Sequence, residues 1–228
     1  MAINLSTYER LERLAALAAS ALQEAADVLI VSRTQMGGGN VCIGGFDISK
    51  KRNIRLLTSN GGNQTEDALF QICQIWKIAY TPKFNLARPH SEDVMVQTSH
   101  LSTTLNREDA KRFISQNCNV ISGSLSNLFG GSIHSPLRAA SYIDATSVPD
   151  HSVCFWRPNS SLTYKILFNK DKYHYIDPEH NTYFAYVGTD PVIEIIPKGS
   201  IVRMSLARWW APPNSESKAC YLQLSGWF

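Results

Sequence analysis

From residue 27 onward the chain breaks into short β-prone pieces separated by turn residues, and this rhythm restricts the fold more than any other feature of the sequence. In the first half the pieces cover residues 28–32, 41–45, 53–57, 72–80 and 94–98. Gly37, Gly38, Gly39 and Asn40, then residues 47–53 and 60–63, supply turns between them. In the longest piece Ile72, Gln74, Trp76 and Ile78 face one way while Cys73, Ile75, Lys77 and Ala79 face the other. Both faces are therefore at least partly covered, as in a closing barrel. The rhythm returns in residues 152–157, 162–168, 173–176, 182–187, 193–196, 201–206 and 219–224. Strands in unbroken succession exclude alternating βαβ units and point to small barrels or sandwiches.

Two helical patterns interrupt the strands. Ser6 and Glu9 form a capping box, and Leu11, Leu14, Leu17, Ala18, Ala21, Leu22 and Ala25 follow at helical spacing, which predicts a helix over residues 7–26. Its expected task is packing, on the chain's own sheet or on a partner's helix. Asn106 caps a second helix, with Asp109 in the third position and Ala110, Phe113 and Ile114 as its apolar stripe, ending at residues 117–119. The polar stretch that follows completes a connector. The expected architecture is mainly β with accessory helices: an N-terminal helix at 1–26, a first small β-barrel at 27–104, a helical and polar connector at 105–150 and a second small β-barrel at 151–228.

A formal charge of +3 identifies neither a nucleic-acid binder nor a membrane-surface protein. Cys42, Cys73, Cys118, Cys154 and Cys220 are odd in number and far apart, which suggests neither a disulfide framework nor a metal knuckle and fits a reducing, cytoplasmic setting. Glu9, Arg10, Glu12 and Arg13 break any signal-peptide pattern, and no later segment is long and apolar enough for a bilayer, so no membrane partner is expected. The six histidines share no ligand spacing, and Gly37, Gly38, Gly39, Gly44 and Gly45 open no phosphate-binding helix; no metal or cofactor is expected.

What remains is arginine interleaved with rings, the combination that neutralises phosphates while bases stack. Arg33, Arg52, Arg55 and Arg157 are the candidate phosphate ligands, and Trp76, Trp156 and Tyr186 the candidate stacking platforms. The opposing reading is a solvated hairpin over core aromatics. Two further functions stay open. A hydrolase would need His90, Glu92 and Asp93, from the acid- and base-rich segment 88–93, to converge with another acid or histidine around a concave site. A protein-interaction adaptor would use the leading helix and exposed strand edges, with self-association or a protein partner.

Residues 29–33 (LIVSR), the glycine turn, 41–45 (VCIGG) and 54–57 (IRLL) resemble the opening of the dual OB-containing domain family, a prokaryotic group with two successive barrels of the oligonucleotide-binding type. Residues 74–78 (QIWKI), 89–94 (PHSEDV), 188–191 (GTDP), 204–206 (MSL) and 220–224 (CYLQL) continue the resemblance over about residues 27–228. It implies nucleic-acid binding or handling, single-stranded DNA or RNA in our reading, and a role in a prokaryotic conflict system. It carries over no catalytic residue. The long turn at 37–40 and the leading helix depart from the family pattern.

Overall fold

Strand β1 (Glu24–Met36) organises the first half, because its apolar run feeds two cores at once. Val28 and Ile30 pack with Val41, Ile43, Ile54 and Ile78 inside a barrel, while Leu29 and Val31 join a second cluster with Phe46, Ile114, Phe155 and Phe228. Alternation along a strand sends neighbours to opposite faces, so four successive residues are all fully buried. The computed structural model describes residues 24–211 and 217–228.

The first part of β1 pairs antiparallel with β5 (Gln74–Pro82) and the second part with β2 (Asn40–Asp47). Strand β2 continues to β3 (Arg52–Leu57), which pairs in parallel with β6 (Asp93–Thr104), and β6 returns antiparallel to β5. A closed barrel of five strands results, with the strand path of an OB fold; the short β4 (Gln64–Thr65) adds to the edge of β2. One correction concerns the leading helix. Residues 24–26, expected at its end, are strand, with Glu24 opposite Tyr80, Ala25 opposite Ala79 and Ala26 opposite Ile78. The ladder to β5 outweighs the helix propensity of two alanines. Residues 7–23 of that expected helix lie outside the described residues.

Helix α1 (Arg107–Asn117) begins where the Asn106 side chain accepts a 2.8 Å hydrogen bond from the Asp109 N–H, and it buries Ala110 and Ile114. Beyond it, the stretch expected to act as a connector is built into the second half. Strand β7 (Val120–Gly123) pairs in parallel with β9 (Val153–Pro158), and a 3-10 segment (Leu125–Gly131) places Leu125, Leu128 and Phe129 in the second core. Strand β8 (Tyr142–Ile143) pairs with β15 (Cys220–Trp227). Those apolar side chains, scattered among Gly and Ser, gain more from burial than a solvated linker would.

The second sheet repeats the strand path of the first. Strands β10 (Leu162–Leu167), β11 (Lys170–Ile176) and β12 (Asn181–Tyr186) form an antiparallel meander, and β12 pairs in parallel with β15. Strand β15 is antiparallel to β14 (Val202–Leu206), which pairs with β9; β13 (Ile195–Ile196) lies on the edge of β10. The long first strand is divided here: β9 takes β14 as the start of β1 takes β5, and β10 takes β11 as the end of β1 takes β2. The two halves touch through the cluster around Leu29, Phe155 and Phe228 and through backbone bonds from Gln35 N–H to Val187 and from Thr189 N–H to Arg33. No helix among the described residues is long and apolar enough to cross a membrane.

Candidate nucleic-acid interface

The residues expected to bind phosphate do not meet. Arg33 is buried and its Nη1 donates to the carbonyls of Ala68 and Phe70 at 2.9 and 3.1 Å, holding the loop before β5. Arg52 Nη2 donates to Glu24 Oε2 and Tyr80 Oη, both at 3.0 Å. Arg55 makes a bidentate pair with Asp93, at 2.6 and 2.7 Å. Arg157 leans on α1, donating from Nη2 to Ser115 Oγ at 3.0 Å.

The rings expected to stack on bases are also committed to the interior. Trp76 packs edge-on against Phe70, with centroids 4.9 Å apart, and is buried in the first core. Trp156 is fully buried against Tyr175 and Phe184 while its Nε1 donates to the Gly123 carbonyl. Tyr186 is half-buried, donates from Oη to the Asp190 carbonyl at 2.8 Å, and meets the Tyr173 ring edge-on. Small barrels need wide side chains to fill their centres, and these are the ones used. The groove expected from these seven side chains is therefore absent from this arrangement.

Segment 88–93 clamps the two halves together. His90 Nε2 donates to the Leu206 carbonyl at 3.1 Å, and Glu92 accepts from the Ser152 hydroxyl at 2.8 Å and from its N–H. Burial, then the neighbouring Arg208, holds the His90 pKa below its ordinary value, so the ring stays neutral near pH 7. His90, Glu92 and Asp93 do converge on the wall of a concave cavity between the halves, of about 300 Å³. Among the described residues the cavity wall brings no further acid or histidine to them, and each makes a structural contact, His90 to Leu206, Glu92 to Ser152 and Asp93 to Arg55.

A different surface combines charge and rings in solvent. The β10–β11 hairpin turns through Phe168 and Asn169, both with positive φ, at 55° and 56°, in the two-residue geometry of a type I′ turn. Phe168 is 91% exposed although its backbone conformation is unfavourable for a bulky L-residue. Because Tyr173 and Tyr175 point inward, Lys170, Lys172 and His174 point outward, and the register adds Lys165 directly opposite Lys172. Like charges at such a pair weaken a sheet. Lys172 Nζ lies 5.6 Å from the centre of the Phe168 ring. On the same outer face His174 and Tyr183 stack with centroids 4.2 Å apart and planes within 11°. This is the outer face of β10, β11 and β12 in the second sheet.

Sequence reasoning missed this surface because residues 162–168 read as one strand, which hides the turn at Phe168 and Asn169. The usable signal was a Phe-Asn pair followed by lysine at alternate positions, Lys170 and Lys172, with Lys165 ahead of it.

The profile of the dual OB-containing domain matches residues 26–227. No curated protein matches the chain. Three solved structures share a loose likeness. One, described as structural mimicry for functional antagonism, is 12% identical, with a TM-score of 0.35 and coverage of 90% of this chain and 91% of that one. The HINa domain of Ifi202 in complex with a 20-bp double-stranded DNA is 11% identical, with a TM-score of 0.33 and coverage of 89% and 96%. A murine DNA-binding protein bound with double-stranded DNA is 11% identical, with a TM-score of 0.31 and coverage of 90% and 96%. Likenesses of this size say nothing about what the present chain binds. The family match, spanning both halves and agreeing with the repeated strand path, is decisive for kinship: the chain belongs to the dual OB-containing domain family.

Proposed function

We propose that the protein is a non-catalytic module that binds single-stranded nucleic acid, DNA or RNA, across the outer face of β10, β11 and β12. The observation that carries this reading is the meeting of Lys165, Lys170 and Lys172 with the exposed Phe168 ring and the stacked His174–Tyr183 pair on one open surface. Lysines there neutralise phosphates, and an exposed ring accepts any unpaired base, whereas a paired duplex offers no such face. In OB barrels the face of the second and third strands, with the loop joining the first two, is the customary place for oligonucleotides. The family resemblance extends the reading to a role in a prokaryotic conflict system. The adaptor alternative rests on the expected leading helix, whose residues 7–23 lie outside the described residues, and on exposed strand edges.

Fluorescence anisotropy with labelled single-stranded DNA and RNA, repeated across a salt series, tests the proposal. Removing one phosphate-neutralising lysine lowers the slope of log affinity against log salt by about 0.7, so Lys165→Ala, Lys170→Ala and Lys172→Ala combined should flatten it by about 2. No binding at low salt, or an unchanged slope in the triple variant, refutes the assignment.

A further inference from the structure

The cavity between the two barrels holds a cation that the nucleic-acid surface does not use. Arg203, on β14, is 5% exposed and reaches across to β2, where the absent side chain of Gly44 makes room for it: a Cβ there would stand 2.7 Å from Arg203 Nη2. Its Nη1 donates to Ser225 Oγ at 3.0 Å, but its Nε has no partner, and among the described residues no carboxylate forms an ion pair with it. The other charges on the cavity wall are already matched or engaged. Asp93 takes the bidentate Arg55 and also Arg208 at 3.5 Å, and Glu92 is held by Ser152. Three arginines against two carboxylates leave one positive charge over. Burial pulls the Arg203 pKa below the ordinary arginine value, outweighing the opposing pull of Cys42, of the Glu92 carboxylate, which acts on it without a direct ion pair, and of Cys154. A buried guanidinium with an idle donor is costly unless an anion completes it.

We propose that this cavity binds a small organic oxyanion, a carboxylate or phosphate carried on an apolar body, with Arg203 as its charged anchor. The guanidinium fork suits either group, and about 300 Å³ lies at the small-ligand end of binding pockets. Met36, Ile54, Val187 and Leu206 supply an apolar wall for the body of the ligand. Cys42, half-buried on the same wall, reports on occupancy.

The test is isothermal titration of the full chain with inorganic phosphate, AMP and benzoate, together with iodoacetamide labelling of Cys42 read by peptide mass spectrometry. At least one probe should bind with a Kd of about 1 mM or tighter and slow Cys42 alkylation, and Arg203→Met should weaken that binding about tenfold or more. Loss of an uncompensated buried charge should leave Arg203→Met folded; if it does not fold, Arg203→Lys, which keeps the charge and loses the fork, should show the weakening instead. The proposal fails if no probe binds, if binding leaves Cys42 alkylation unchanged, or if the folded Arg203 variant binds as the natural protein does. Its failure is separable from that of the nucleic-acid reading, since Arg203→Met should keep its oligonucleotide affinity and the triple lysine variant should keep its probe binding.

Discussion

Replacing Phe168 with Asn should make the protein more stable and worse at binding. Phe168 occupies the left-handed region at φ 55° and is 91% exposed, so it carries a backbone penalty that almost no burial offsets. That penalty is about 1–2 kcal/mol for a bulky residue, and Asn, whose short polar side chain tolerates this region, relieves much of it. Little packing disappears with the ring, because its neighbour is the Lys172 ammonium, an interaction worth about 0.5–1 kcal/mol at an exposed site. The net expectation is a gain of up to about 1 kcal/mol, or about 2–4 °C in Tm for a chain of this size. Stacking of one base on an aromatic contributes about 1–3 kcal/mol, so oligonucleotide affinity should fall by about fivefold to a hundredfold. Urea unfolding and anisotropy on the same preparation read both quantities. A destabilised Phe168→Asn, or one that binds as tightly as the natural protein, would refute the argument that strain is kept here for a ligand.

Gly44→Ala should destabilise by about 1–3 kcal/mol, seen as a lower urea midpoint, because the added methyl would sit 2.3 Å from Ser32 Oγ and 2.7 Å from Arg203 Nη2. Arg33→Ala should cost about 1–3 kcal/mol by stranding the carbonyls of Ala68 and Phe70, and leave the affinity of the folded fraction for oligonucleotide unchanged. Burial raises the Asp47 pKa, but hydrogen bonds from the Tyr80 hydroxyl, the Lys50 N–H and the Ser49 hydroxyl outweigh it and hold the carboxyl below the ordinary carboxylate range. A depressed pKa gives stability that is present above the unfolded value and lost as pH falls through the folded one. Asp47→Asn should therefore lower the urea midpoint at neutral pH, with the gap from the natural protein closing below about pH 4.

Much of the fold was legible because strands and turns are written locally. The glycine hairpin at 37–40 and the Asn106 cap with Asp109 each depend on residues close in sequence. What was not legible depends on partners far along the chain. Val28 and Ile30 enter one core and Leu29 and Val31 another, a division that exists only once the second barrel covers β1. Long-range partners also turn Arg33 inward to loop carbonyls and Arg55 to Asp93, so composition suggested ligands where the fold needed clamps. Trp76 and Trp156 were drawn inside by the volume their barrels must fill. At Glu24 and Ala25 a helical pattern ran on into a strand because β5 offers an open ladder there.

Ultraviolet crosslinking of the full chain to a photoreactive single-stranded oligonucleotide, with the modified peptides mapped by mass spectrometry, tests the central assignment most directly. Crosslinks concentrated on Phe168, Lys172, His174 and Tyr183 are predicted; crosslinks that avoid β10–β12 and fall instead on the first barrel would contradict it.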